Sequence, residues 1–183
     1  MNRYVLALAS LAALLLMSSA RADAQQFSAK FSGFNEIGGL GAGETGAILS
    51  EGQATLNLNL DRIARTLTYT LTYSGLSSNV TVAHIHFGKV HVAGNVIVFL
   101  CTNLAIPPPP PAATPPACPV GGGTVSGTIR PADVVAVPGQ NITAGDFDAL
   151  EDALTSNTAY GNIHTTKFPA GEIRGEIRRA EGD

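Results

Sequence analysis

From residue 27 to residue 178 the chain repeats short runs in which apolar and polar residues alternate, with glycine, asparagine and proline between the runs. A period of two puts successive side chains on opposite faces of a strand, so each run predicts a half-buried β-strand. The runs cover residues 27–34, 53–60, 66–73, 80–87, 95–100, 123–130, 159–165 and 171–178. The clearest is 53–60, with Ala54, Leu56, Leu58 and Leu60 inward and Thr55, Asn57 and Asn59 outward. Leu67, Tyr69, Leu71 and Tyr73 form a second apolar face, and Phe27, Ala29 and Phe31 a third. Residues 95–100 are more uniformly apolar, as in a strand covered on both sides.

One segment changes period. Phe147, Leu150 and Leu154 follow one another at helical spacing after Thr143-Ala144-Gly145-Asp146, which has the form of a capping box. Asp146, Asp148, Glu151 and Asp152 crowd the early turns, where negative charge suits a helix N-terminus. A short helix is predicted over residues 144–154. Many short strands with one helix define an all-β fold, an antiparallel sandwich, and no internal repeat is visible.

The two ends of the apolar pattern are of another kind. Arg3, the apolar run of residues 5–17 and Ala22-Asp23-Ala24 read as an export signal with a small-residue cleavage site. Residues 1–24 are therefore expected to be a leader and residues 25–183 a single domain, periplasmic or secreted, without a membrane span. Ala20-Arg21-Ala22 is a second cleavage site of the same form. Cys101 and Cys118 flank a proline-rich insert, residues 102–117, that includes Pro107–Pro111 and must be extended. In an exported protein the pair is expected to form a disulfide, worth at most about 3 kcal/mol because a stiff loop has little entropy to lose.

The candidate chemistry is concentrated in histidine. Of four histidines, His84 and His86 share one strand face in Ala83-His84-Ile85-His86, opposite Ala83, Ile85 and Phe87. His164 faces outward with Tyr160 and Asn162 if Ile163 faces in. In the last run Ile173 and Ile177 face in, which turns Glu172, Arg174 and Glu176 out. If these strands are neighbours, three imidazoles converge with a carboxylate and a guanidinium. Imidazoles suit copper or zinc, and Glu172 and Arg174 would then orient ligands or steer anions. The same side chains could instead be a hydrogen-bonded clasp between strands. His91, in the loop after the pair, is either an extra ligand or a solvated loop residue.

Composition narrows the classes. The net charge of −3, the absence of tryptophan and the lack of a Lys/Arg cluster exclude a nucleic-acid partner. Both methionines, Met1 and Met17, lie in the leader, so no thioether is left to bind copper. Gly41-Ala42-Gly43-Glu44-Thr45-Gly46 matches a dinucleotide fingerprint but lacks the following helix, so no nucleotide cofactor is expected. No serine or cysteine nucleophile motif occurs. Asn79-Val80-Thr81 and Asn141-Ile142-Thr143 fit a glycosylation sequon.

Several of these stretches, in this order, resemble the CHRD domain, named after chordin and found singly in exported bacterial proteins. They are Phe31-Ser32-Gly33-Phe34-Asn35-Glu36, Ala83-His84-Ile85-His86 with Gly88, Ile142-Thr143-Ala144 with its helix, Gly161-Asn162-Ile163-His164-Thr165, and Phe168-Pro169-Ala170-Gly171-Glu172-Ile173-Arg174-Gly175. The resemblance spans nearly all of residues 27–177, and the proline insert departs from it. It implies an exported β-sandwich module with no established general activity, in the superoxide dismutase and immunoglobulin-like class of Greek-key sandwiches. A more distant similarity is to copper-zinc superoxide dismutase, where a His-x-His pair, a later histidine and a C-terminal arginine share the outer sheet surface. His84, His86, His164 and Arg174 match that grouping; with only His91 left over, a copper-only site is implied rather than a bimetallic one. The expectation is a binding module for one copper or zinc ion or for an extracellular protein. A copper-only dismutase and a metal-free structural domain are the alternatives.

Overall fold

The computed structural model describes residues 24–37, 46–105 and 114–180. The expected leader up to residue 23, the glycine-rich segment before Gly46 and Pro107–Pro111 lie outside them. The strands are β1 (Ala24–Ser32), β2 (Gln53–Asp61), β3 (Thr66–Ser74), β4 (Val80–Phe87), β5 (Asn95–Thr102), β6 (Gly123–Ile129), β7 (Ala159–Thr165), β8 (Ile173–Glu176) and β9 (Arg178–Arg179). One α-helix, α1 (Phe147–Thr155), precedes β7. It starts later than residue 144 because Asp146 is the cap, its carboxylate accepting from the Ala149 N–H at 3.0 Å.

Every pairing is antiparallel, and the strands form one sheet in the order β5-β4-β7-β8-β1-β2-β3-β6, with β9 beside β1. The all-β expectation holds. The sandwich is realised as a single sheet that curls until its end strands, β5 and β6, meet. The Tyr69 hydroxyl reaches across the gap from β3 to the Leu100 carbonyl of β5 at 2.5 Å. The end strands meet without a β5–β6 hydrogen-bonded ladder among the described residues, so the sheet is nearly closed.

The interior is built from the faces that the alternation marks. Phe27, Phe31, Leu56, Leu60, Leu67, Leu71, Ala83, Ile85 and Ile163 form one apolar cluster, closed at the side by Phe147, Leu150 and Leu154 of α1. The outer face of β3 and β6 is a hydroxyl ladder in which Thr70 meets Ser126 at 3.1 Å and Thr72 meets Thr124 at 2.9 Å. Gly161 and Gly175 lie opposite each other on β7 and β8, and the Phe31 ring packs where their Cβ atoms would be. That contact presses β1 against the two strands that carry His164 and Arg174.

Cys101 and Cys118 form a disulfide with Cα atoms 5.0 Å apart. Cys101 pairs with Ala83 in the neighbouring strand, so the crosslink ties the base of the proline insert to the residue beside His84.

Candidate metal centre

β4 pairs with β5 on one side and β7 on the other, and its register shifts between Ala83 and His84 and again between Ile85 and His86. Such irregularities bend a strand and re-aim its side chains. Across to β7, Val82 faces His164, His84 faces Asn162 and His86 faces Tyr160. Alternation sends all six to the face away from the apolar core.

The three histidines come together there. One ring nitrogen from each of His84, His86 and His164 lies within 4.8 Å of the other two. Ring centroids are 4.5 Å apart for His84 and His86 and 4.6 Å for His84 and His164. Although this is the outer side of the sheet, it is not open: His84 is only 5% exposed.

Hydrogen bonding fixes which nitrogens are available. His86 Nδ1 lies 2.9 Å from the Gly94 carbonyl and His164 Nδ1 lies 2.8 Å from the Pro169 carbonyl. A carbonyl only accepts, so both Nδ1 atoms carry the proton and both Nε2 atoms keep a free lone pair. His84 Nδ1, His86 Nε2 and His164 Nε2 are buried without any hydrogen-bond partner. Three orphaned imidazole nitrogens in a buried site are costly, about 1–3 kcal/mol each, unless something else engages them. A bound cation would satisfy all three at once, and a carbonyl holding the second N–H is the usual support for a metal-bound imidazole.

Burial disfavours protonation here. It pushes His84 well below its ordinary value and, helped by His164 and Arg174 against the bond to Gly94, takes His86 down to about 4. His164 is lowered as well, burial outweighing its carbonyl bond and the nearby Glu36 carboxylate. Neutral rings near pH 7 are the form that ligates.

Arg174 and Glu172 do not sit as open outer-surface groups. Arg174 is 1% exposed. Its guanidinium donates to Glu176 through Nε at 3.0 Å and Nη2 at 2.8 Å, and to the carbonyls of Val92 and Lys89 at 3.1 and 3.4 Å. It also lies over Tyr160, which stacks on His86 with centroids 4.6 Å apart and planes 6° from parallel. Glu172 precedes β8 and is fully buried. Its carboxylate accepts from Ser50 at 2.6 Å, from Thr165 at 2.7 Å and from the Ser77 N–H and hydroxyl at 2.8 and 2.9 Å. Burial pushes this carboxyl up, and the four donors together hold it below its usual range. His91 is exposed in the loop after β4 and does not join the histidine group.

Alternation turned Tyr160 outward beside His164 without giving it a role, and Glu36 lies outside the alternating runs. Tyr160 walls one side of His86, and its hydroxyl accepts from the Gly94 N–H at 3.1 Å. Glu36 is buried at the end of the first short turn and accepts a short hydrogen bond from Asn162. Gly171 makes room for it, since a Cβ there would lie 2.5 Å from the Glu36 carboxylate, and its φ of +127° is one only glycine adopts without strain. Glu36 and Gly171 stand in the stretches that carry the family resemblance, which was the available signal for them.

The molecule is thus an all-β module with a buried three-histidine cluster on the outer side of its sheet. Residues 27–177 match the CHRD domain, and the chain belongs to that family. No curated protein and no solved structure matches it.

Proposed function

We propose that the protein is an exported binding module that holds one transition-metal ion, copper or zinc, through His84, His86 and His164. The observation that carries this is the set of three buried, unpartnered imidazole nitrogens within one ligand group. Such a group would supply one-electron chemistry with copper or Lewis acidity with zinc. Tyr160, Gly94 and Pro169 orient two of the rings, and Arg174 pins the loop that supplies Gly94. Export is supported by the apolar leader and by the disulfide, which persists in oxidising compartments. No helix among the described residues is long and apolar enough to cross a membrane.

The dismutase alternative needs a guanidinium free to attract an anion. Arg174 instead spends its donors on Glu176 and two carbonyls, with the Tyr160 ring between it and His86. That favours a holder of metal over a turnover site. The test is the metal content of protein purified from the periplasm, wild type beside His84→Ala/His86→Ala. About one copper or zinc per chain, lost in the variant, is the expected result. No stoichiometric metal, with equal divalent-ion affinity in both proteins, would leave the cluster as a structural clasp.

A further inference from the structure

Resting on that metal-binding reading, we infer that the site selects cuprous copper over divalent ions. The donor set is three neutral imidazoles. Among the described residues no carboxylate and no thiolate joins it, and both cysteines are consumed in the disulfide. The nearby carboxylates are otherwise engaged. Glu172 accepts from Ser50, Ser77 and Thr165, Glu176 holds Arg174, and Glu36 accepts from Asn162 and the Ile37 N–H. The charge of a bound ion would therefore remain uncompensated by its own ligands.

Burial makes that charge decisive. The cost of taking an ion out of water rises as the square of its charge, so a dication pays roughly four times what a monocation of similar size pays. Zinc in three-histidine sites keeps a fourth position for water, and cupric ion seeks tetragonal N/O coordination. A covered site with His84 at 5% exposure serves neither demand well. Cuprous ion has a filled d shell, carries one charge and is content with three nitrogen donors. The orphaned Nδ1 of His84 and the two Nε2 atoms of His86 and His164 offer that number.

The experiment measures three affinities on the full chain as exported. Cuprous copper is titrated anaerobically against bicinchoninate with ascorbate as reductant, which leaves the disulfide intact; cupric copper and zinc are titrated against chromophoric chelators. Cuprous affinity about a hundredfold or more above both divalent ions is expected, and it should be lost in His164→Gln and in His84→Ala/His86→Ala. Intact disulfide and unchanged far-ultraviolet circular dichroism establish that the variants are folded. Divalent binding as tight as cuprous, lost in the same variants, overturns the selectivity while the metal site stands. Failure to bind any of the three ions, or binding unchanged in both variants, removes the metal reading and the selectivity with it.

Discussion

Arg174 lies flat over Tyr160, its guanidinium carbon 3.3 Å from the ring centroid, and the other face of that ring covers His86. The stack converts a charged side chain on β8 into a support for the His86 ring two strands away. Because the guanidinium is buried and paired with Glu176, its removal leaves a carboxylate and two carbonyls without their donor. Arg174→Met is expected to cost about 3 kcal/mol, as for breaking a buried pair. Arg174→Lys should recover little, since an ammonium cannot reproduce the planar fork. Urea midpoints of the three proteins check this, and a loss below about 0.5 kcal/mol would mean that the pair behaves as a surface contact.

Glu172 fastens three separate segments, through Ser50, Ser77 and Thr165. Glu172→Gln replaces one acceptor oxygen with an amide that faces donors, and should cost about 2 kcal/mol at neutral pH. The folded carboxyl titrates below its ordinary value of 4.5, so its contribution is complete above that pH and fades as the pH falls through the folded value. The stability gap between wild type and variant is therefore expected to close in acid. A gap that stays constant from neutral pH down to about 3 would contradict this linkage.

The histidines add their own pH dependence to the metal-free protein. Burial lowers all three below the ordinary value of 6.5, His86 to about 4. Between those values the unfolded chain binds more protons, so native stability falls as the pH drops through that window and is level above it. His86 alone contributes on the order of 3 kcal/mol. Denaturation midpoints from pH 8 to 4 should show a decline starting near 6.5 that is shallower in His86→Gln. Parallel profiles for the two proteins would rule out a buried neutral His86.

Gly161 tests the packing behind the site. A methyl group there would enter the Phe31 ring, which is held from the other side by the β1–β2 pairing and has no easy retreat. Gly161→Ala is expected to cost about 1–3 kcal/mol by overpacking and to disturb the His86 and His164 rings, because Gly161 lies between Tyr160 and Asn162 on β7. Combining it with Phe31→Leu should restore part of the stability. If the double variant is no better than additive, the Phe31 contact is not the cause.

Strand placement was legible because its signal is local. The runs at 80–87 and 159–165 coincide with β4 and β7, and the parity of Ala83, Ile85 and Ile163 places His84, His86 and His164 on outward faces. The helix was legible in its spacing, less so at its start, because Asp146 rather than Thr143 supplies the capping oxygen. Glu172 shows where parity runs out. It shares the outward parity of Arg174, yet β8 begins at Ile173, and a residue just before a strand turns where its hydrogen-bond donors are. Those donors lie at residues 50, 77 and 165, which no spacing rule connects.

The sequence by itself determined that the chain is an all-β module with one helix, that Cys101 and Cys118 bracket a proline-rich insert, and that two histidines share a strand face. Alternation, proline geometry and capping act over a few residues and need no partner. Only the tertiary structure decided that β7 lies beside β4, so that His164 joins the pair. It alone decided that the curled sheet closes through Tyr69 and Leu100, and that Arg174 is buried against Tyr160 instead of facing solvent. Those outcomes depend on strand order, on register and on which loop covers which face. They are settled by packing between residues far apart in the chain.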